Sequence, residues 1–232
     1  MNSPSPLIGG YRWPGAIDNL EAKQRVAAQV AATLKDGDVF GAGSGSTSYI
    51  TILALGERAK RDRLRCMAIP TSHEIMLACI SAGITVTSLW EHLPAWCFDG
   101  ADEVDPANNM IKGRGGAMFK EKLVIRAAPR ALILIDESKR VASLGAKFPV
   151  PVELHPTALP VVEKELLRLG AREIILRLGK SKDGPVVTEN GNFILDVRFP
   201  EVAAGLEREI KAITGVLETG LFQGFAVELL VS

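Results

Sequence analysis

Apolar positions in the first half of the chain alternate between two rhythms. Leu20, Val26, Ala27 and Val30 share a face at helical spacing, and Asp18 with Glu21 reads as a capping pair opening that helix. The polar run 35–38 (KDGD) closes it. Val39 and Phe40 predict a short strand running into the glycine-rich segment 41–47 (GAGSGST), with a helix over 49–55. The pattern repeats as a strand at 67–69, a capping box at 71–74 and a helix over 75–81, then strands at 84–86 and 95–98. A second glycine-rich turn, 113–116, feeds a helix over 117–127, and 131–135 is a wholly apolar strand. A strand that is apolar on both faces belongs in a parallel sheet covered on both sides. The alternation predicts a doubly wound α/β domain.

The second half has a different rhythm. A helix over 159–169 is ended by Gly170, and 173–177 reads as a strand. Segments 186–188 and 193–197 flank Asn190 and Gly191, a hairpin signal. A helix is expected over 201–213 and a strand-like stretch over 215–222. These elements predict a small α+β domain with an antiparallel sheet. The proline-rich 148–151 (FPVP) reads as the crossover, and the apolar tail 225–231 as a return to the large domain. The expected division is therefore 1–147 plus 220–232 for the large domain, with 148–219 inserted.

Composition narrows the function classes. Of 232 residues 47% are hydrophobic, enough for a real core, and 27 basic residues balance 27 acidic ones. Nucleic-acid binders carry a basic excess, which is absent here. The basic cluster 58–65 is interrupted by Asp62 and reads as a solvated helix end. Cys66, Cys79 and Cys97 are odd in number and never spaced C-x-x-C, which argues against disulfides and zinc and for reduced thiols in a cytoplasmic protein. His73, His92 and His155 form no ligand spacing. No segment reaches the ~20 apolar residues of a membrane span. The first fifteen or so residues lack the long apolar run of a signal peptide.

Four segments carry candidate chemistry. The 41–47 loop ends a strand and opens a helix, where backbone N–H groups and the hydroxyls of Ser44, Ser46 and Thr47 can cradle an anion. Ser46 stands where a dinucleotide loop needs its third glycine, and no lysine is present for a Walker loop, so a phosphate on a small molecule is left. Asp99, Asp102, Glu103 and Asp105 follow an apolar strand, at the strand end where open α/β sheets bind ligands. An exposed acidic turn would look the same. Lys112 precedes the glycine turn and Glu121 lies in the helix after it; turning the chain at the glycines could bring both to one pocket. Asp136 to Lys139 (DESK) follows the strand 131–135, as a solvated turn or a further part of the site.

Together these segments resemble type A ribose-5-phosphate isomerases. That family carries G-x-G-T-G-S-T, then D-G-A-D-E, I-K-G-x-G-G-A with E-K downstream, D-E-S-K, L-G and P-x-P-V-E. This chain has 41–47, 99–103, 111–122, 136–139, Leu144 with Gly145, and 149–153 in the same order and spacing, and the likeness continues at 188–196 and 215–222. Ser44 stands where threonine is usual, and Arg114 where glycine is common.

The resemblance implies a Rossmann-like domain with an inserted α+β domain, in a cytosolic homo-oligomer, dimer or tetramer, that uses no metal or cofactor. It implies that Glu121 is the general base, that Asp99 and Asp102 meet the sugar hydroxyls, with Asp99 linked to ring opening, and that Lys112 lies near the reacting oxygens. Ser44, Gly45, Ser46 and Thr47, with Lys139 and Lys23, correspond to the phosphate end. Gly100, Ala101, Gly113, Arg114 and Gly115 line the substrate. The expected partner is a small sugar phosphate, with no nucleic acid and no membrane. Rival readings are a sugar-phosphate sensor domain, which would need no base, an isomerase of another aldose phosphate, and a nicotinamide-dependent dehydrogenase.

Overall fold

The computed structural model describes residues 4–232. They form two compact units, the first taking the chain up to Gly100 with Lys120–Ser138 and Ala226–Ser232, the second Ala101–Phe119 with Lys139–Phe225.

The first unit holds a wholly parallel sheet in the order Glu228–Val231, Ala131–Ile135, Trp96–Gly100, Val39–Ala42, Met67–Pro70, Thr85–Val86. This is the Rossmann-like, doubly wound arrangement the alternation predicts. Helices such as Leu20–Thr33, Gly45–Asp62 and His73–Ser81 supply Val26, Val30, Ile52, Leu55 and Ile75 to a core shared with Phe40, Phe98 and Leu132. Phe40 stacks on Trp96 across the sheet with ring centroids 5.1 Å apart. From Val39–Ala42 the chain winds outward one way to Thr85–Val86, then returns to Trp96–Gly100 and winds the other way. Ligand sites of open α/β sheets lie beyond the carboxyl ends of the strands at such a reversal. Here those ends are Gly43 and Gly100. The N-terminal segment folds onto the same unit: Tyr11 and Trp13 pack on Tyr49 at 6.3 and 5.5 Å, and Ser81 Oγ donates to Gly9 O.

Local details differ from the sequence reading. The first long helix begins after Asn19, which sits at φ 52° and caps without its side chain, so Asp18 and Glu21 form no box. Asn tolerates that left-handed conformation better than most residues. Gly45–Asp62 is longer than the 49–55 expected, because the apolar run marks only the buried turns. In the next helix Ser72, not Thr71, accepts from Ile75 N.

The second unit holds an antiparallel sheet in the order Val216–Thr219, Val150–Leu154, Phe193–Arg198, Glu173–Leu176. Helices Leu159–Arg168 and Leu206–Lys211 lend Val162, Leu166 and Ile210 to its core. The expected crossover 148–151 thus runs into an inner strand. Pro151 pairs with Asp196 on one side and lies just past the last pair, Thr219 with Val152, on the other, its carbonyl accepting from Gly220 N at 2.7 Å and Thr219 Oγ1 at 3.2 Å. Asn190 and Gly191 do turn the chain, with Thr188 N donating to Asn192 O at 2.8 Å, but 186–188 forms no strand. The Thr188 hydroxyl and the Asn190 and Asn192 amides converge instead on the buried Glu153 carboxylate.

A second antiparallel ladder joins Leu221–Phe222, Met110–Ile111 and Glu103–Val104. Because of it, 101–119 and 220–225 group with the second unit rather than with the large domain, as do 139–147. Two-residue strands leave too little periodicity to read from sequence.

Candidate active site

The glycine-rich segment 41–47 is part strand, part helix. A Cβ at Gly41 would lie 2.2 Å from Val124 Cγ1, so this glycine lets the helix Met118–Ala127 approach the sheet. A Cβ at Gly43 would lie 2.1 Å from Asp99 Cγ, so the Asp99 carboxylate occupies the space a side chain would take. Gly45, at φ 85°, starts the helix from a backbone conformation that other residues avoid.

The helix start gathers hydroxyls, backbone donors and a lysine. Ser44 precedes it but does not cap it, its Oγ pairing instead with Thr71 Oγ1 at 2.7 Å. Gly45 N donates to Glu74 Oε1 at 2.9 Å. Lys23 Nζ donates to Ser46 Oγ at 3.0 Å and to Asp18 O at 2.7 Å, bringing a cation to the first turn. Gly100 lies beside Thr47, whose Cβ would be 3.9 Å from a Cβ on the glycine. Lys23, Ser44, Gly45, Ser46, Thr47, Asp99 and Gly100 are thus gathered at the strand reversal of the first unit.

Asp99 is 2% exposed, and its Oδ1 accepts from Gly100 N at 2.7 Å. Glu121, in Met118–Ala127, is 5% exposed. Residues three apart on a helix share a face, so Glu121 lies on the face that Val124 lays over Gly41. Crossover helices return antiparallel to the strands, which puts Glu121 one turn nearer the strands' carboxyl ends. Both carboxylates, Asp99 and Glu121, are largely kept from bulk water.

In the second unit Lys112 is 3% exposed, with Nζ 5.6 Å from the Phe222 ring centroid and its N–H donating to Gly220 O at 2.9 Å. Asp102 Oδ2 accepts from Arg114 N at 3.2 Å, and Gly113 turns at φ 94°. Ala101 and Gly115 flank these groups in the chain. Lys139 ends the short helix Glu137–Lys139, its Nζ 5.6 Å from the Phe148 ring centroid.

Two of the four clustered carboxylates serve the fold. Glu103 is fully buried and accepts the N–H groups of Gly145, Lys147 and Phe148. Asp105 closes its own turn through Ala107 N, Asn109 N and Asn109 Nδ2. Sequence reading missed Glu74 and Arg177. In the sequence Glu74 reads as part of a capping box, and its use by Gly45 depends on pairing two neighbouring strands. Arg177 donates to the carbonyls of Gly113 and Arg114, and no local pattern announces it.

Gly43→Ala tests the packing of Asp99. The added methyl will displace the carboxylate, costing about 1–3 kcal/mol of stability by overpacking, and turnover will fall even well below the melting temperature. Thermal melting and kcat/KM check this; parent values in both would mean that Asp99 does not need that space.

These features place the protein among Rossmann-like α/β proteins, with polar and charged groups gathered at the strand reversal. The family model for Ribose 5-phosphate isomerase A (phosphoriboisomerase A) matches residues 67–232. The chain is 43% identical over 209 residues to the Ribose-5-phosphate isomerase A of Methanothermobacter thermautotrophicus, covering 89% of this chain and 92% of that one. It is similar to the solved ribose 5-phosphate isomerase A of Methanocaldococcus jannaschii, with a TM-score of 0.88 and 41% identity over 92% of this chain and 95% of the other. A D-ribose-5-phosphate isomerase solved in complex with phospho-erythronic acid superposes with a TM-score of 0.88 at 39% identity, covering 93% and 95%. The chain belongs to the ribose 5-phosphate isomerase A family, and is an isomerase by that membership.

Proposed function

We propose that the protein interconverts D-ribose 5-phosphate and D-ribulose 5-phosphate through an enediolate, in the non-oxidative branch of the pentose phosphate pathway. The observation that carries this reading is the pairing of buried carboxylates, Asp99 and Glu121, with a lysine-tipped, hydroxyl-rich helix start in the same unit. Glu121 takes the proton from one of C1 and C2 and returns it to the other. Lys112 stabilises the negative charge that grows on the oxygens, a preorganised charge being worth most in a site kept from water. Asp99 and Asp102 hold the sugar hydroxyls, and Asp99 assists ring opening. Ser44, Gly45, Ser46 and Thr47, with Lys23 and Lys139, bind the phosphate, whose remote binding energy orients the reacting carbons. Gly100, Ala101, Gly113, Arg114 and Gly115 line the sugar. That one homologous isomerase was solved with a four-carbon phosphorylated acid supports a phosphorylated, polyhydroxylated substrate.

The chemistry is a proton shift and calls for no redox partner. Among the described residues no group of three His, Cys, Asp or Glu side chains is placed to hold a metal ion, and no helix is long and apolar enough to cross a membrane. The reading includes a cytoplasmic homo-oligomer, dimer or tetramer, supported by three free thiols and by the family. Burial holds the Cys79 thiol up at about 12, so it stays protonated and unreactive.

The test is turnover of ribose 5-phosphate and of ribose by protein treated with a chelator. Ribose 5-phosphate is expected to react undiminished, and ribose with a far lower kcat/KM. Activity restored only by divalent metal, or equal use of the unphosphorylated sugar, would sink the reading.

A further inference from the structure

The loop after Lys112 contains Gly113, Gly115 and Gly116, and such a run has little conformational preference of its own. The turn closes on itself through Gly116 N to Gly113 O at 3.0 Å, and contacts from outside fix it further. Arg177 Nη1 donates to Gly113 O and to Arg114 O, each at 3.0 Å. The other edge of the same guanidinium is engaged by Asp196, with Nε to Oδ2 at 2.8 Å and Nη2 to Oδ1. A planar guanidinium gripped on one edge by a carboxylate points its remaining donors in a set direction.

Both members of the pair are rooted in the sheet of the second unit. Asp196 lies in the inner strand Phe193–Arg198, and Arg177 follows Glu173–Leu176 with its own N–H on Ile194 O at 2.9 Å. From the other side Asp102 Oδ2 accepts from Arg114 N. Two successive peptide groups are thus held, at the carbonyls of Gly113 and Arg114 and at the Arg114 N–H between them. The same sheet supports the turn further on, where a Cβ at Gly116 would lie 3.1 Å from Ile194 Cδ1. Lys112 is tethered on its N–H side by Gly220 O, and the clamp holds the chain just after it. A pair serving only to join two strands would not direct a third nitrogen to a loop.

We propose that Arg177, oriented by Asp196, is a positioning residue for the isomerisation: it fixes the backbone after Lys112 and so sets where the lysine ammonium meets the reacting oxygens. This rests on the role given to Lys112 above. Neither side chain touches substrate in this reading. The prediction is a loss of turnover that a purely structural pair would not cause.

The experiment compares Arg177→Ala, Arg177→Lys, Arg198→Ala and Lys112→Ala in the full chain. Arg177→Ala is expected to lower kcat/KM on the order of 10²-fold, the loss typical of ~1 Å misplacement, measured well below a melting temperature that will itself fall as Asp196 loses its partner. Added guanidinium, below concentrations that shift melting, will recover about tenfold or more by refilling the slot between Asp196 and the carbonyls. Arg177→Lys keeps the charge and the fold, but an ammonium cannot grip Asp196 and both carbonyls, so kcat/KM still falls about tenfold. Arg198→Ala removes the exposed Arg198–Glu173 pair, 3.4 Å long across the same two strands, and stays within about twofold of the parent.

Parent-like turnover in Arg177→Lys or Arg177→Ala would overturn the proposal. So would an equal loss in Arg198→Ala, or a loss in Arg177→Ala that guanidinium leaves unchanged. Lys112→Ala separates the two layers of the argument. If it is inactive while the Arg177 variants are active, the clamp alone is refuted; if it is active, the role of Lys112 falls and takes the clamp's with it.

Discussion

Replacing Glu121 by glutamine will lower kcat for ribose 5-phosphate by roughly 10² or more, the low end of what a lost general base costs. The substitution keeps the size of a side chain that is 5% exposed and removes only its basic oxygen. Sugar-phosphate binding will survive, because Lys23, Ser46 and Thr47 are untouched. Lys139→Ala is the counterpart: it will raise KM, and lower kcat to the extent that phosphate anchoring orients the substrate. Single-turnover measurements at saturating ribose 5-phosphate isolate the chemical step. A Glu121→Gln rate within a few-fold of the parent would remove Glu121 as the base, and Asp102 would be the next residue to test.

The largest expected effect on stability comes from a carboxylate with no part in the proposed chemistry. Glu103 is 0% exposed and accepts Gly145 N at 2.7 Å, Phe148 N at 2.6 Å and Lys147 N. Glu103→Ala strands those donors beside a cavity, and at ~1–3 kcal/mol for each buried group left unmatched the loss is about 3 kcal/mol or more. At ~2–4 °C per kcal/mol for a chain of this size, Tm will fall by about 6–12 °C. Glu103→Gln will recover part of this, since its one oxygen can still accept from Lys147 N and Phe148 N while its amide N–H meets Gly145 N. Thermal unfolding followed by circular dichroism reads both variants. A shift under about 3 °C in Glu103→Ala would mean that the 145–148 segment holds itself.

The two carboxylates Asp99 and Glu103 sit four residues apart in one motif, and their contrast shows where sequence reading reaches its limit. Both were legible as part of an unusual acidic cluster at a strand end. Which one packs against the glycine loop and which one ties down a distant loop was not, because the partners of Glu103 lie more than forty residues away. The Rossmann-like order of strands and helices was legible throughout the first unit, since long buried strands such as Ala131–Ile135 impress their environment on every residue. The ladder of Glu103–Val104, Met110–Ile111 and Leu221–Phe222 was not, its two-residue strands being too short for a period to register.

What the amino-acid order determined by itself was the alternation that winds the parallel sheet, the glycines at 41, 43 and 45, and the set of chemical groups the chain can offer. Tertiary structure decided how those groups are used. Gly41 serves a helix, Gly43 a carboxylate and Gly45 a left-handed turn, though all three look alike in the sequence. Glu74 reaches Gly45, and Arg177 grips the carbonyls of Gly113 and Arg114, across 29 and more than sixty residues. Local periodicity carries information only about a residue's own turn or strand. A hydrogen bond formed when distant segments pack depends on where the whole fold sets its ends, and no window of sequence contains that.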